Sequence, residues 1–188
     1  MNYKANIKTI FAFLFIVSQL MTYGQEEHSF KIQKNQLEWE KVFESEMSIT
    51  EVEEILKALP VFKNITSEGG SLSGEIENVT PDYQSSGKSS GGTSSYLQNS
   101  SIIAAFYIEF EDGRYRTTLN RIYLSSSDDL SGSGLSIVSA NYLQPLSDFA
   151  VKKGDFRSRF LRADAQTFEI TFSRLFDFDN YAPKSDDW

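Results

Sequence analysis

Apolar and polar positions alternate along residues 36–44 (QLEWEKVFE), with Leu37 and Trp39 set against Glu38 and Glu40 until the phase breaks at Val42-Phe43. That is the period of a strand with one face on a core. The helix that follows has a marked start. Ser48 and Glu51 stand at capping-box spacing, with Met47 and Val52 at the staple positions. Ile49, Val52, Ile55, Leu56 and Leu59 then share one face, opposite Glu53, Glu54 and Lys57, and Pro60 ends the run. Residues 61–67 and 72–79 read as two further extended segments joined around Glu68-Gly69-Gly70. The clearest pattern spans 102–124, where two aromatic and β-branched runs flank Asp112-Gly113, a dipeptide that favours a two-residue type I′ turn. Such a loop sets Glu111 opposite Arg114, Phe110 opposite Tyr115, Glu109 opposite Arg116, Ile108 opposite Thr117 and Phe106 opposite Leu119. One face of this hairpin is then apolar (Ala104, Phe106, Ile108, Phe110, Tyr115, Leu119). The other carries two cross-strand ion pairs. The apolar face needs a cover, and amphipathic helices are what the chain has available.

Toward the C-terminus the pattern is mixed. Residues 135–143 read as extended, and Ser147 to Lys153 as a short helix closed by Lys152-Lys153-Gly154. Between Phe156 and Phe178 a strand-like alternation over 167–173 competes with a helical stripe of Leu161, Ala165, Phe168, Phe172, Leu175 and Phe176. Phe156, Phe160 and Ala163 fall roughly opposite that stripe. A helix broken near Asp164 is the better reading, because a sheet with one covering helix would leave aromatic rings wet. Two stretches lack apolar periodicity, 80–101 and 125–134, both rich in Ser and Gly. They read as mobile surface loops that bury too little to offset the entropy of ordering. Tyr83, Tyr96 and Leu97 are the sizeable apolar groups of the first.

The leader alters the count of what must fold. Lys4 and Lys8 precede an apolar run, Ile10 to Val17 and on to Met21, and Thr22-Tyr23-Gly24 places small residues before a cut near Gly24/Gln25. These are the three parts of a secretory signal peptide. Its apolar core rises only about 18 Å as a helix, short of the roughly 30 Å of a bilayer core. Residues 1–24 are thus an export signal and 25–188 one domain, periplasmic or secreted, with no membrane span. The chain's end, soon after the last core helix and without a sorting domain, favours the periplasm. There is no cysteine in the 188 residues, which excludes disulfides, thiolate metal sites and lipid attachment at a lipobox. This is therefore not a lipoprotein, and a bacterial envelope is the better setting. The net charge is −8, and two units more negative once Lys4 and Lys8 leave with the leader. Such a balance argues against nucleic acid, whose recognition needs clustered cations.

Candidate chemistry is sparse. The one histidine, His28, lies four residues into the mature chain and reads as a solvated tail residue, which leaves a Ser–His–Asp triad without a placed base. Gly87-Lys88-Ser89 resembles the end of a phosphate loop, but Asp82 stands where the first glycine belongs. Asp177-Phe178-Asp179-Asn180 resembles half a calcium loop, but Ala182 and Trp188 occupy its glycine and glutamate positions. Asp128-Asp129 reads as a turn pair. Glu109 with Glu111, or Glu75 with Glu77, offers paired carboxylates for a hydrolase. The first pair faces Arg114 and Arg116, which would hold it ionised and unfit to donate a proton. No metal or cofactor is expected.

Three segments together resemble a known group: Trp39-Glu40-Lys41-Val42-Phe43 before a capped helix, Phe110-Glu111-Asp112-Gly113-Arg114-Tyr115-Arg116 running into Thr118-Leu119-Asn120, and Phe149-Ala150-Val151-Lys152-Lys153-Gly154. The likeness is to exported Bacteroidetes proteins of unknown function with a TATA-binding-protein-like domain, over roughly Leu37 to Phe178. It implies a curved antiparallel sheet with helices on one side and brings no activity with it. The fold expected is thus α+β, a sheet of about five strands with helices packed on one face. The function expected is a non-catalytic binding or interaction module of the bacterial cell envelope, its partner an envelope protein or a glycan. The residues placed to meet such a partner are Tyr83, Tyr96, Arg114, Arg116 and Trp188. A carboxylate-based hydrolase and a structural or assembly-accessory envelope protein are the alternatives.

Overall fold

The structure, a computed structural model, describes residues 28–126 and 142–181. Five strands are those the alternation marks, and two more flank them. Strands β1 (Phe30–Gln33), β2 (Gln36–Glu44), β3 (Phe62–Glu68), β4 (Ser71–Val79), β5 (Ser100–Glu111), β6 (Arg114–Ser126) and β7 (Tyr142–Pro145) form one antiparallel sheet. Its order is β1-β2-β6-β5-β4-β3, and β7 pairs with the far end of β6, past the stretch that β2 occupies.

The β5–β6 register is the one the two-residue loop demands, from Glu111↔Arg114 back to Phe106↔Leu119. The turn type differs, however. Only Gly113 is left-handed (φ 70°), while Asp112 keeps an ordinary φ, so the loop is not type I′. The paired left-handed residues occur instead at Lys34-Asn35 and Lys153-Gly154, turns that carry no strong dipeptide signature, and at Gly69-Gly70. The first of these creates β1, which the sequence pattern misses. The second overturns the helix expected to run to Lys153. That segment is one helical turn followed by a hairpin of β8 (Val151–Lys152) and β9 (Asp155–Phe156), because Lys153 and Gly154 both adopt positive φ.

Alternate side chains put Phe30, Leu37, Trp39, Leu72, Ile76, Ile102, Phe106, Ile108, Tyr115 and Leu119 on one buried face. Helix α1 (Ile49–Ala58) covers it at the β3–β4 end with Val52 and Leu56. Its capping box is formed in both directions, Glu51 N–H on the Ser48 hydroxyl and the Glu51 carboxylate on Ser48 N–H. The short helices α2 (Ser95–Gln98) and α3 (Ser147–Ala150) pack at the other end, with Leu97 and Ala150 buried. The principal cover is α4 (Ala165–Phe176), whose Phe168, Phe172 and Phe176 meet Phe30, Trp39, Phe62 and Phe106 at ring-centroid distances from 5.4 to 6.4 Å. Tyr115 closes the end of α4: its phenol donates to the Phe176 carbonyl (2.7 Å) and accepts from Phe178 N–H (3.1 Å).

The expected break near Asp164 is a π-helical turn, Phe160–Asp164, leading into α4. It also corrects the placing of Phe160, which packs on Phe30 (5.4 Å) beside Phe168 rather than opposite it. Lys41 is a second departure from the simple pattern. It shares the inner side of β2 with Trp39, and its ammonium reaches Glu169 (3.0 Å) and Ser173 (2.8 Å) on α4. His28 is not a solvated tail residue either, since its ring packs edge-on against Phe156 at 5.1 Å.

Residues 80–101 are seated by the buried Leu97 and by a set of polar contacts. Asp82 N–H donates to the Thr171 hydroxyl (2.8 Å), Ser86 pairs with Thr167 (3.0 Å), Lys88 donates to Thr167 (3.1 Å), and Ser94 and Tyr96 donate to Asp164. Arg174 adds an ion pair to Asp82. Asp164, Thr167, Thr171 and Arg174 follow one another by three, four and three residues, so they line one side of the helix. The leader at 1–24, Asp128-Asp129, the 127–134 part of the second Ser/Gly stretch, residues 135–141 and Trp188 lie outside the described residues. Among the described residues no helix is long and apolar enough to cross a membrane.

Candidate functional site

The side chains that could meet a partner fall in two places. The first is the outer face of the sheet, which no helix among the described residues covers. Arg114 Nε donates to Glu111 (2.8 Å) and Arg116 Nε to Glu109 (3.0 Å), as the hairpin register requires. Thr118 follows on β6, Tyr107 stands beside it on β5 with 40% of its surface exposed, and Val42 on β2 is 48% exposed. The Glu109 and Glu111 carboxylates are therefore occupied by guanidinium groups. Glu75, on the same face, accepts from Asn64 Nδ2 (2.7 Å). The polar groups of this face are taken up in ion pairs and a hydrogen bond.

The second place is concave. Residues of the 94–96 turn, of α3, of the β8–β9 hairpin and of the π-helical turn enclose a cleft of about 650 Å³. Its floor is held by Asp164, which is almost fully buried (3% exposed). Ser94 Oγ donates to Asp164 Oδ1 (2.9 Å) and the Tyr96 phenol to Oδ2 (2.6 Å). Burial pushes the Tyr96 phenol far above its ordinary pKa, and the Asp164 carboxylate adds to that, so it stays a proton donor to Asp164. Arg159 Nη2 donates in turn to Ser94 Oγ (3.4 Å), a relay from guanidinium through hydroxyl to carboxylate. Two aromatic pairs form the walls. Tyr96 and Phe149 stack at 4.2 Å and 19°, and Phe156 and Phe160 at 6.2 Å and 7°. The rim carries Lys152, Arg157 and Arg159, with Asp148 and the exposed hydroxyls of Ser95 and Ser158.

The cleft thus recruits Tyr96, the only one of the marked residues within the described chain that lines it. Tyr83 lies half-buried in the same segment, where its carbonyl accepts from Ser86 and Lys88, and Arg114 and Arg116 belong to the sheet's outer face. Sequence reasoning passed over Phe149, Lys152, Arg157, Arg159 and Asp164. A signal was available: five cations (Lys152, Lys153, Arg157, Arg159, Arg162) fall within eleven residues of a chain whose net charge is −8. A buried aspartate ending a π-helical turn has no comparable signature. Such turns concentrate at functional sites.

Two other polar clusters do structural work. Half-burial raises the pKa of Glu169, but donors from Trp39 (2.7 Å), Lys41 and Ser29 more than reverse this, and the net shift is downward. Desolvation lowers the Lys88 ammonium, which sits against Thr167 on α4. Among the described residues no group of three or more His, Asp or Glu side chains is placed to hold a metal ion.

No protein-family model matches the chain, and no curated protein matches it. Among solved structures it is similar to a TBP-like protein from Parabacteroides distasonis, at 16% identity over 81% of this chain and 98% of that one, with a TM-score of 0.45. It is also similar to a DUF4468 family protein from Bacteroides ovatus, at 12% identity over 84% of this chain and 93% of that one, again with a TM-score of 0.45. Neither likeness carries chemistry to this chain.

Proposed function

We propose that this protein is an exported, non-catalytic binding module of the bacterial cell envelope, and that its partner, an envelope protein or a glycan, enters the cleft framed by Tyr96, Phe149, Arg157 and Arg159. The observation that carries this reading is the pairing of a pre-formed concave site with cations that no carboxylate among the described residues neutralises. Lys152, Arg157 and Arg159 form no ion pair among the described residues, and the walls are stacked rings rather than loose side chains. Ligand sites are typically concave, mostly apolar and provided with a few placed polar groups, at about 300–1,000 Å³. The export signal supports the envelope setting.

One specific observation favours a second reading. Asp148 and Asp164 line the same cleft, and a hydrolase of the two-carboxylate kind needs such a pair. Against it, both Asp164 oxygens accept from hydroxyl groups and the residue is buried beneath them, which leaves no free oxygen to attack or protonate a substrate.

Backbone amide chemical-shift mapping with a soluble envelope fraction of glycans and peptides tests the binding reading. Perturbations clustered at 94–96 and 148–160 are expected. Shifts confined to Val42, Tyr107 and Arg116 would move the binding surface to the sheet, and a spectrum that does not change at all would remove the reading.

A further inference from the structure

We infer that the cleft's ligand is a sugar unit bearing a single carboxylate, a uronic acid; this rests on the binding reading above and names its ligand class. Charge comes first. Lys152, Arg157 and Arg159 face Asp148 and Asp164, an excess of one positive charge in a chain that is otherwise strongly acidic. One excess charge matches a monoanion and under-compensates a phosphate dianion. Two guanidinium groups at the rim suit a planar carboxylate, because their forked donors can meet both oxygens at once.

The remaining groups select what carries the carboxylate. The Ser95 and Ser158 hydroxyls are exposed and, among the described residues, without partners, and so is the Asp148 carboxylate. Together they offer donors and acceptors for neutral hydroxyl groups in numbers that an aromatic or aliphatic acid would leave unmet. An unmet polar group is the costly outcome in a desolvated site. The half-buried rings of Phe149 and Phe156 offer flat apolar faces, as the C–H side of a pyranose requires. The rigid parts are already in place. Asp164 fixes Ser94 and Tyr96, Tyr96 fixes Phe149, and Ser94 holds Arg159, so ordering the site on binding demands little.

Calorimetric titration of the protein with glucuronate, trigalacturonate, glucose, benzoate and inorganic phosphate tests this. Glucuronate or trigalacturonate is expected to bind at least tenfold more tightly than glucose, benzoate or phosphate. A tighter trimer identifies a polymer as the source of the unit, and equal affinities identify the free sugar; either supports the assignment. Lys152→Ala with Arg157→Ala should weaken binding at least tenfold. Neither side chain is buried, an unchanged melting curve would show that the fold survives, and Lys57→Ala on α1 should leave binding unaltered. For the unsubstituted protein, affinity should fall as salt rises from 50 to 500 mM, a readout that needs no variant. Glucose binding as tightly as glucuronate, phosphate or benzoate binding more tightly, or no binding by either acidic sugar would overturn the inference. If the envelope fraction still shifts the cleft amides while both acidic sugars fail, the ligand class falls and the binding reading stands. If the amides stay silent too, both fall.

Discussion

Glu169 shows how one side chain on α4 can serve several neighbours at once. Its carboxylate accepts from the Trp39 indole, the Lys41 ammonium and Ser29, tying both the first strands and the helix to one charge. The net effect is a pKa below the ordinary 4.5. A carboxylate with a depressed folded-state pKa stabilises the fold fully above the unfolded value and loses that contribution as pH falls through the folded one. Glu169→Gln should therefore be less stable than the parent near neutral pH, with the gap narrowing as pH drops below about 4.5. Urea unfolding between pH 3 and 7 measures this; a gap that stays constant across the range would assign the loss to packing rather than charge. The residue itself was hidden in the sequence. Lys41 sits where alternation demands an inward apolar group, and only a partner 128 residues away explains it.

At the scale of elements, what local chemistry dictates was legible and what distance dictates was not. The capping box of α1 and the β5–β6 register follow from spacings of a few residues, and both appear as expected. The π-helical turn illustrates the other case. On an unbroken α-helix, Phe160 and Phe176 would stand about 160° apart around the axis, at about 100° per residue. Absorbing one residue in the wide turn brings them within roughly 60°, so that both face the sheet. Periodicity read at a single pitch necessarily put Phe160 on the wrong side. Gly74 on β4 shows an element accommodating another's irregularity. It lies opposite the bulge in β3, where a Cβ would come within 2.7 Å of the Lys63 carbonyl and 2.8 Å of the Phe106 ring. Gly74→Ala should cost about 1–3 kcal/mol, the range for overpacking a filled site, read from the urea midpoint. A change near zero would mean that the β3 bulge relaxes freely.

At the scale of the whole molecule, helices among the described residues cover one face of the sheet and leave the other without a helix. That outer face owes little to tertiary packing among the described residues, since its ion pairs are local and its apolar groups Val42 and Tyr107 are exposed. The double substitution Val42→Thr with Tyr107→Ser should thus leave stability within about 0.5 kcal/mol, as judged by chemical denaturation. A loss several times larger would reveal a cover for this face. The 80–101 segment shows the limit of composition at this scale. Its few apolar residues were a fair measure of hydrophobic burial, yet Asp164, Thr167, Thr171 and Arg174 seat it by hydrogen bonds and one ion pair, a resource that hydropathy does not count.

The concentration of cations between Lys152 and Arg162, unpaired among the described residues, has a consequence for how the molecule travels. In a chain of net charge −8 that segment is a local positive patch. Near an acidic polymer or surface the net charge would repel the chain while this patch would draw it in, so encounters would be filtered by angle before any contact forms. The torque acts over about one Debye length, roughly 10 Å at 0.1 M salt, and it fades as ionic strength rises. Association would then slow with salt more steeply than dissociation quickens, a kinetic asymmetry set by the placement of charge rather than its amount.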